Sequence, residues 1–321
     1  MNVLVTGGAG FIGSHLVDRL VSRGYRVTVI DNLSSGNYQY IKKLVEGEYI
    51  KYLKLDLKEF NDDLVLAFKD VDVVYHLAAN PEVRVSVTDP RTHFNENVLA
   101  TFNVLEACRI NKVKAIAFTS SSTVYGDARV IPTPEDYAPL EPISVYGASK
   151  LASENLIITY SKLYGIKGII LRLANIVGPR QTHGVIIDFI RKLRKDPSRL
   201  EILGDGTQRK SYLHVSDFIK AVEVAVDYSM NSHNPYEIFN VGNEDWIDVN
   251  EIARIVSKAL NLDDVEFHYV KTTNDGRGWI GDVKFMLLDI RKLRGIGWRP
   301  TMNSREAIES AVREVISLGS K

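Results

Sequence analysis

Short runs of apolar and β-branched residues recur along the first half of the chain, at 3–6, 26–30, 49–55, 71–77, 115–119 and 168–173, separated mostly by helix-length segments. Between the first two runs, Ile12, Leu16, Val17 and Leu20 fall at helical spacing, so strand, turn and helix follow one another from the start. Alternation of this kind predicts parallel strands joined by right-handed helical crossovers, hence an α/β protein with a doubly wound parallel sheet. Two crossovers are long: 90–111, with a proline near its start, and 144–165, ending at a glycine where a helix can stop. Beyond about residue 174 the pattern turns irregular. Gly204-Asp-Gly206, the glycines at 276 and 278, and Pro300 punctuate shorter elements before a last helix expected at 304–318.

With 321 residues, 45% of them hydrophobic, the chain can bury more core than one compact domain needs. The expectation is therefore a large unit, 1–174 plus about 210–241, and a smaller α+β unit, about 175–209 plus 242–321. Forty basic residues offset forty acidic ones, which leaves no net field to favour nucleic acid or a membrane surface. The basic run 191–199 reads as a solvated helix face. Cys108, the single cysteine, sits among helix-like apolar residues and is expected to pack as a small hydrophobe. The start shows no basic leader and no apolar run near the roughly 18 residues of a membrane span, so a soluble cytoplasmic protein is expected. The seven histidines include no pair at metal-ligand spacing, so no metal is expected, and His76 and His214 read as packing or polar-network residues.

Gly7-Gly-Ala-Gly10-Phe-Ile-Gly13 follows the first strand and opens the first helix. Glycines there permit a tight turn, close approach of backbone N–H groups to a pyrophosphate, and tight helix packing, while the helix N-terminus favours the anion. Asp31 ends the second strand eighteen residues after Gly13, where a carboxylate accepts hydrogen bonds from the adenosine ribose. It repels a 2′-phosphate, and no Arg or Lys lies between Asn32 and Tyr40, so NAD is expected over NADP.

Tyr146 and Lys150 lie four residues apart on one predicted helix and share a face. A tyrosine titrates near ~10, but a neighbouring ammonium and an oxidised nicotinamide stabilise its phenolate and make it a usable proton acceptor. The hydroxyl-rich run from Phe118 to Gly126 brings Ser121 and Ser122 to the carboxyl edge of the predicted sheet. No Gly-x-Ser-x-Gly elbow surrounds these serines, which argues against a hydrolase.

These motifs, with Asp31-Asn-Leu-Ser-Ser-Gly36, Asp56-Leu57, His76-Leu-Ala-Ala79, Asn97-Val98, and Asn175 before Gly178-Pro179, resemble the extended short-chain dehydrogenase/reductase family over nearly the whole chain. Within it the chain is most similar to nucleotide-sugar 4-epimerases of the UDP-glucose (UDP-galactose) type. The resemblance implies a Rossmann domain holding NAD tightly through Gly7, Gly10, Phe11, Ile12, Gly13, Asp31, Asn32, Ser34, Ser35, Gly36, Asp56, Leu57, Leu77, Ala78, Ala79, Asn97, Tyr146, Lys150 and Ala174. It also implies a nucleotide-sugar substrate met by Ser121, Ser122, Tyr146, Asn175, Lys210, Arg277 and Asp282, and a homodimer formed through the segments 90–111 and 144–165.

In the implied reaction Tyr146, aided by Ser121 and Lys150, takes the proton of the sugar 4-hydroxyl as hydride passes to NAD. The 4-keto sugar then turns over and regains the hydride on its other face. Relatives that dehydrate or decarboxylate carry acids after the catalytic hydroxyl; Ser122 and Thr123 stand there and cannot shuttle protons as carboxyls do. The sister reading is an epimerase acting on UDP-N-acetylhexosamine or UDP-glucuronate, and the outlier is a redox-inert NAD-binding scaffold. On the substrate side, Lys210-Ser211 replaces the family's Arg-Asp and Trp279-Ile-Gly-Asp282 its Arg-Pro-Gly-Asp, which makes Arg277 the nearest arginine. Trp279 suits either stacking on a base or sugar or filling a gap.

Overall fold

The computed structural model describes residues 1–318. β1 (Asn2–Thr6), β2 (Arg26–Ile30), β3 (Ile50–Leu53), β4 (Val73–His76), β5 (Ala115–Ser121), β6 (Lys167–Leu173) and β7 (Tyr236–Val241) form one sheet in the order β7-β6-β5-β4-β1-β2-β3. All six pairings are parallel. The helices that matter for the site are α1 (Phe11–Ser22), α2 (Ala100–Ile110), α3 (Val145–Tyr164), α4 (Val185–Lys195), α5 (Val215–Asn231), α6 (Val249–Ala259) and α7 (Ser304–Leu318). Strand order grows outward in both directions from β1, as right-handed crossovers demand. The strand order reverses between β1 and β4, where ligands bind in such sheets.

One sheet face packs α1 and α5 through residues such as Leu16, Val17, Phe218 and Val222. The other packs α2 and α3 through Val104, Leu105, Cys108 and Ile157. A third apolar cluster stands apart, built from α4, α6 and α7 with Val177, Leu200, Ile202 and Tyr212. Asn175–Val177 pairs in parallel with Tyr212–His214, so the chain leaves β6 directly into this smaller lobe. Val283, Met286, Leu288, Ile290, Leu293 and Trp298 pack back onto the sheet-side cluster.

β5 runs two residues past its expected end because Ser120 and Ser121 still pair with Arg172 and Leu173 of β6. β7 was not foreseen at all. Its Glu237 and Asn240 are buried polar residues, which break the apolar run, yet both are fully bonded: Glu237 to Lys292 and Asn234, Asn240 to Tyr125 and Thr133. The segment 90–110 is one unbroken helical run but is not α-helical throughout. It divides into a short turn of helix, Pro90–His93, a π-helical stretch, Phe94–Leu99, and α2. By contrast, α3 has the expected bounds, with the Ser144 hydroxyl accepting from Gly147 N at 3.0 Å and Gly165 closing it at φ +72°. Cys108 is buried and free, His76 is fully buried between two threonines, and His214 bonds Ser216 and Glu314. Among the described residues no helix is long and apolar enough to cross a membrane, and no group of three His, Cys, Asp or Glu could hold a metal.

Candidate active site

A cavity of about 690 Å³ runs along the carboxyl edge of the sheet and into the smaller lobe. All the site residues singled out from the sequence border it except Asn97 and Arg277.

At one end lies the glycine turn. A Cβ on Gly13 would sit 2.1 Å from Gly7 O, and one on Gly7, whose φ is +69°, would sit 2.8 Å from Ala78 N. α1 begins at Gly10 with no side chain capping its first turn, so the N-terminal N–H groups and the dipole are available to an anion. Asp31, 8% exposed, accepts Ala9 N at 2.9 Å on one oxygen and Leu33 N at 2.8 Å on the other. Burial raises its pKa, and these two bonds oppose the rise. The carboxylate thus braces the glycine turn while each oxygen keeps a second lone pair. Gly36 packs so closely that a Cβ there would meet Asp31 Oδ1 at 2.9 Å. Beside it, Asn32 Nδ2 donates to Asp56 Oδ2 at 3.1 Å. Burial works to raise the Asp56 pKa, but bonds from Lys58 N and Asn32 hold it below its usual value. The closed cradle, the uncapped helix start and the strand-end acid together fit a dinucleotide pyrophosphate and an unphosphorylated adenosine ribose.

At the centre, β5 and α3 bring Ser121, Tyr146 and Lys150 together. Lys150 is 3% exposed, donates to Thr119 O at 2.9 Å, and lies 4.9 Å from the Phe118 ring centre and 5.8 Å from that of Tyr146. Burial pushes it down to about 7, with the Glu154 carboxylate, one turn along α3, pulling the other way. Tyr146 is pushed up to about 12, again chiefly by burial, with the Ser121 hydroxyl lowering it. Lys150, itself brought down to about 7, is uncharged where so high a phenol titrates, so in the protein alone it does not offset the effect of burial on Tyr146. Ser121 Oγ accepts from Thr123 N at 3.2 Å and Thr123 Oγ1 at 3.0 Å, which leaves its own proton to donate. His93, fully buried, stands edge-on to Tyr146 at 5.6 Å.

Two of the residues named from the sequence stand off the cavity wall. Asn97 does not reach the cavity: it is 2% exposed, accepts Asn80 N at 2.8 Å and donates to Ser149 Oγ at 2.8 Å. The π-helical stretch turns it inward, where it ties the loop after β4 to α3. Arg277 is spent on the protein itself, donating to both oxygens of Asp127 at 2.9 and 2.8 Å, to Asp275, and to Asp282 O at 2.8 Å. It tethers the 271–284 loop to Asp127. Lys210 reaches the cavity but is paired with Asp282 at 2.5 Å. The Trp279 ring lines the same wall, with Lys210 Nζ 5.3 Å and Arg84 Cζ 6.0 Å from its centre. Gln208 Oε1 and Trp279 Nε1, both on lining residues, are buried polar atoms without a partner.

Residues that the sequence reading missed also border the space. The Glu82–Arg84 ion pair follows β4 in the loop after Ala79, and Gln181 to Gly184 precede α4. The first had a signal, a charged pair directly beyond a cofactor-facing strand end; the second had none.

The sheet order, the glycine cradle and the Tyr–Lys helix define an NAD-dependent enzyme of the extended short-chain dehydrogenase/reductase class. Residues 3–242 match the NAD dependent epimerase/dehydratase family, and the chain belongs to it. The UDP-glucose 4-epimerase of Mycolicibacterium smegmatis is 33% identical over 319 residues, 97% of each chain. A crystal structure of UDP-galactose 4-epimerase superposes with a TM-score of 0.89 at 48% identity, covering 99% of each chain. The UDP-N-acetylglucosamine 4-epimerase of Methanobrevibacter ruminantium, solved with UDP-N-acetylmuramic acid, superposes at 0.86 with 32% identity over 100% of this chain and 99% of that one. The chain is an isomerase of the nucleotide-sugar 4-epimerase type that uses NAD.

Proposed function

We propose that the chain interconverts UDP-galactose and UDP-glucose through a transient 4-keto sugar. The observation that carries this reading is the convergence of Ser121, Tyr146 and Lys150 on one cavity, with Ser122 and Thr123 where acids would be needed for elimination. NAD, when bound, supplies the hydride acceptor and donor at C4; the glycine cradle, Asp31, Asp56 and Leu57 would hold it. Ser121 orients the sugar 4-hydroxyl, and Tyr146 takes its proton and later returns one. Lys150, brought by burial to about 7, sets a titrating amine at the floor of the site. With burial holding it near 12, the phenol is protonated at neutral pH in the protein alone. Proton transfer begins only when further positive charge enters beside Tyr146.

The fit of both the galactose-type and N-acetylglucosamine-type structures favours a second reading, a UDP-N-acetylhexosamine epimerase. Purified protein incubated with UDP-galactose, UDP-N-acetylglucosamine and UDP-glucuronate, with products separated by chromatography, distinguishes them; conversion of none refutes both. Tyr146→Phe is expected to lose at least about 100-fold in kcat while retaining its fold; unchanged turnover would remove Tyr146 from the catalytic centre.

The proposal extends to organisation. Residues 1–174 with about 210–241 hold NAD and the remainder the nucleotide-sugar, with the segment 283–298 packed on the sheet-side core. Exposed Phe94, Phe102, Ile110, Leu163 and Tyr164 on the helices of 90–110 and 145–164 suit a homodimer, in a soluble cytoplasmic enzyme.

A further inference from the structure

Directly beneath Ser121, Tyr146 and Lys150 lies a buried polar network that the reaction as described does not use. Glu154 is 1% exposed and Arg172 3% exposed. Arg172 donates Nη2 to Glu154 Oε2 at 2.8 Å and Nε to Oε1 at 3.0 Å. Ser120 Oγ donates to Glu154 Oε1 at 2.5 Å. Arg172 Nη1 continues the network to Tyr125 Oη at 2.9 Å and Glu135 O at 3.0 Å, and Tyr125 donates to Asn240 at 2.7 Å.

Two features of this arrangement bear on the site above it. First, β5 is fastened to α3 at two successive residues: Thr119 O accepts from Lys150, and Ser120 donates to Glu154. Ser121, which follows, has its place relative to Tyr146 set by those two bonds. Second, Glu154 stands one turn beyond Lys150 on the same helix, so a carboxylate faces a buried amine from below. A buried ion pair is seldom kept for stability, since apolar residues of equal volume do as well.

We propose that Glu154 is a positioning residue of this centre: it locks the end of β5 against α3 and supplies the negative charge beneath Lys150. The inference rests on the reading of Tyr146 and Lys150 as the catalytic pair. Burial drives Lys150 down to about 7, and Glu154 opposes that fall. The other ionisable groups around the amine give no such help. His76 of β4 and His93 are cationic when protonated, Tyr146 is neutral near pH 7, and Arg172 of β6 lies behind Glu154. Glu154 is thus the anion that opposes loss of the Lys150 proton near neutral pH, and Arg172 holds it in place.

The test is the titration of the Lys150 side chain, followed by carbon-13 NMR of ε-labelled lysine and assigned with Lys150→Met. In Glu154→Gln the midpoint is expected about one pH unit lower or more, since the Arg172 charge is then uncovered. The alkaline limb of the kcat/KM profile should fall with it, while KM for the nucleotide-sugar changes little. Because an unpaired buried arginine can itself unfold the chain, Glu154→Gln/Arg172→Gln is measured as well, with a smaller downward displacement expected. Glu154→Asp, which keeps the charge, should restore the midpoint. An unmoved Lys150 midpoint in both Gln variants, or a uniform loss of activity with an unchanged pH profile, overturns the role of Glu154. Full turnover in Tyr146→Phe would instead sink the catalytic reading and leave the Lys150 titration standing.

Discussion

Gly13→Ala is the substitution whose consequence the geometry defines most sharply. Its Cβ would fall 2.1 Å from Gly7 O, 2.9 Å from Gly7 C and 2.9 Å from Gly8 Cα, all backbone atoms that cannot rotate away. Reaching an ordinary contact of 3.4 Å requires an opening of 3.4 − 2.1 = 1.3 Å between the turn and the start of α1. Hydrogen bonds to a phosphate do not survive a displacement of that size. Each charge-assisted bond from a backbone N–H contributes about 1.5–3 kcal/mol, so losing two costs at least about 3 kcal/mol, roughly 100-fold in affinity for NAD. Overpacking adds about 1–3 kcal/mol to the instability of the chain itself. Calorimetric titration with NAD, beside urea unfolding without it, separates the two effects. Gly24→Asn is the control: Gly24 has φ +77° but nothing within 4 Å of a Cβ, so NAD affinity should stay unchanged. Wild-type affinity in a folded Gly13→Ala protein would refute the cradle as the pyrophosphate site.

Three further outcomes follow from the same coordinates. His76 is driven down to about 3 by burial and by the Lys150 charge, whereas an unfolded histidine titrates near 6.5. The stability that its neutral ring contributes is therefore complete above pH 6.5 and is lost as pH falls from there toward 3. Urea midpoints between pH 7 and 4.5 should drop more steeply for wild type than for His76→Gln. Arg277→Ala and Asp127→Ala each release the 271–284 loop, so KM for the nucleotide-sugar should rise roughly tenfold in either, with NAD affinity intact. The double variant should be no worse than one alone; additive losses would show that the two act separately. Phe102→Glu places a charge on a side chain 41% exposed between the helices proposed to pair, and sedimentation should then report monomers; an unchanged dimer would remove this face as the interface.

Legibility in the sequence tracked the range of the interactions. The glycine turn, Asp31, and the bounds of α3 were readable because turn, cap and strand end are settled by neighbours within a few residues. β7 escaped because its buried Glu237 and Asn240 look like loop residues until partners some 50 to 115 positions away are in view. Asn97 was placed in the site by its motif and Arg277 as the arginine nearest a motif position that holds Trp279, yet neither ground fixes side-chain direction. A π-helical stretch rotated one inward, and Asp127, 150 residues earlier in the chain, claimed the other. The expected effect of Lys150 on Tyr146 depends on a charge that burial of the amine weakens, and burial is not legible in a local window.

Charge balance connects the substrate side of the cavity to these departures from the family pattern. The chain is neutral overall, and several of its cavity cations are individually matched to acids: Lys58 to Asp56, Arg84 to Glu82, Lys210 to Asp282. Lys210 and Asp282 are 17% and 4% exposed in their side chains, so their attraction is little screened. A diphosphate approaching Lys210 must share it with a carboxylate 2.5 Å away, and it finds an indole at 279 where a second guanidinium would offer a bidentate fork. Ionic steering is therefore weak at this end. Recognition shifts to the aromatic ring, to the unpartnered Gln208 and Trp279 atoms, and to the shape of a wall whose loop Arg277 holds from behind. On the proposed placement of the substrate, selectivity for the nucleotide would be a property of the 271–284 loop as a whole, more than of any one cation on it.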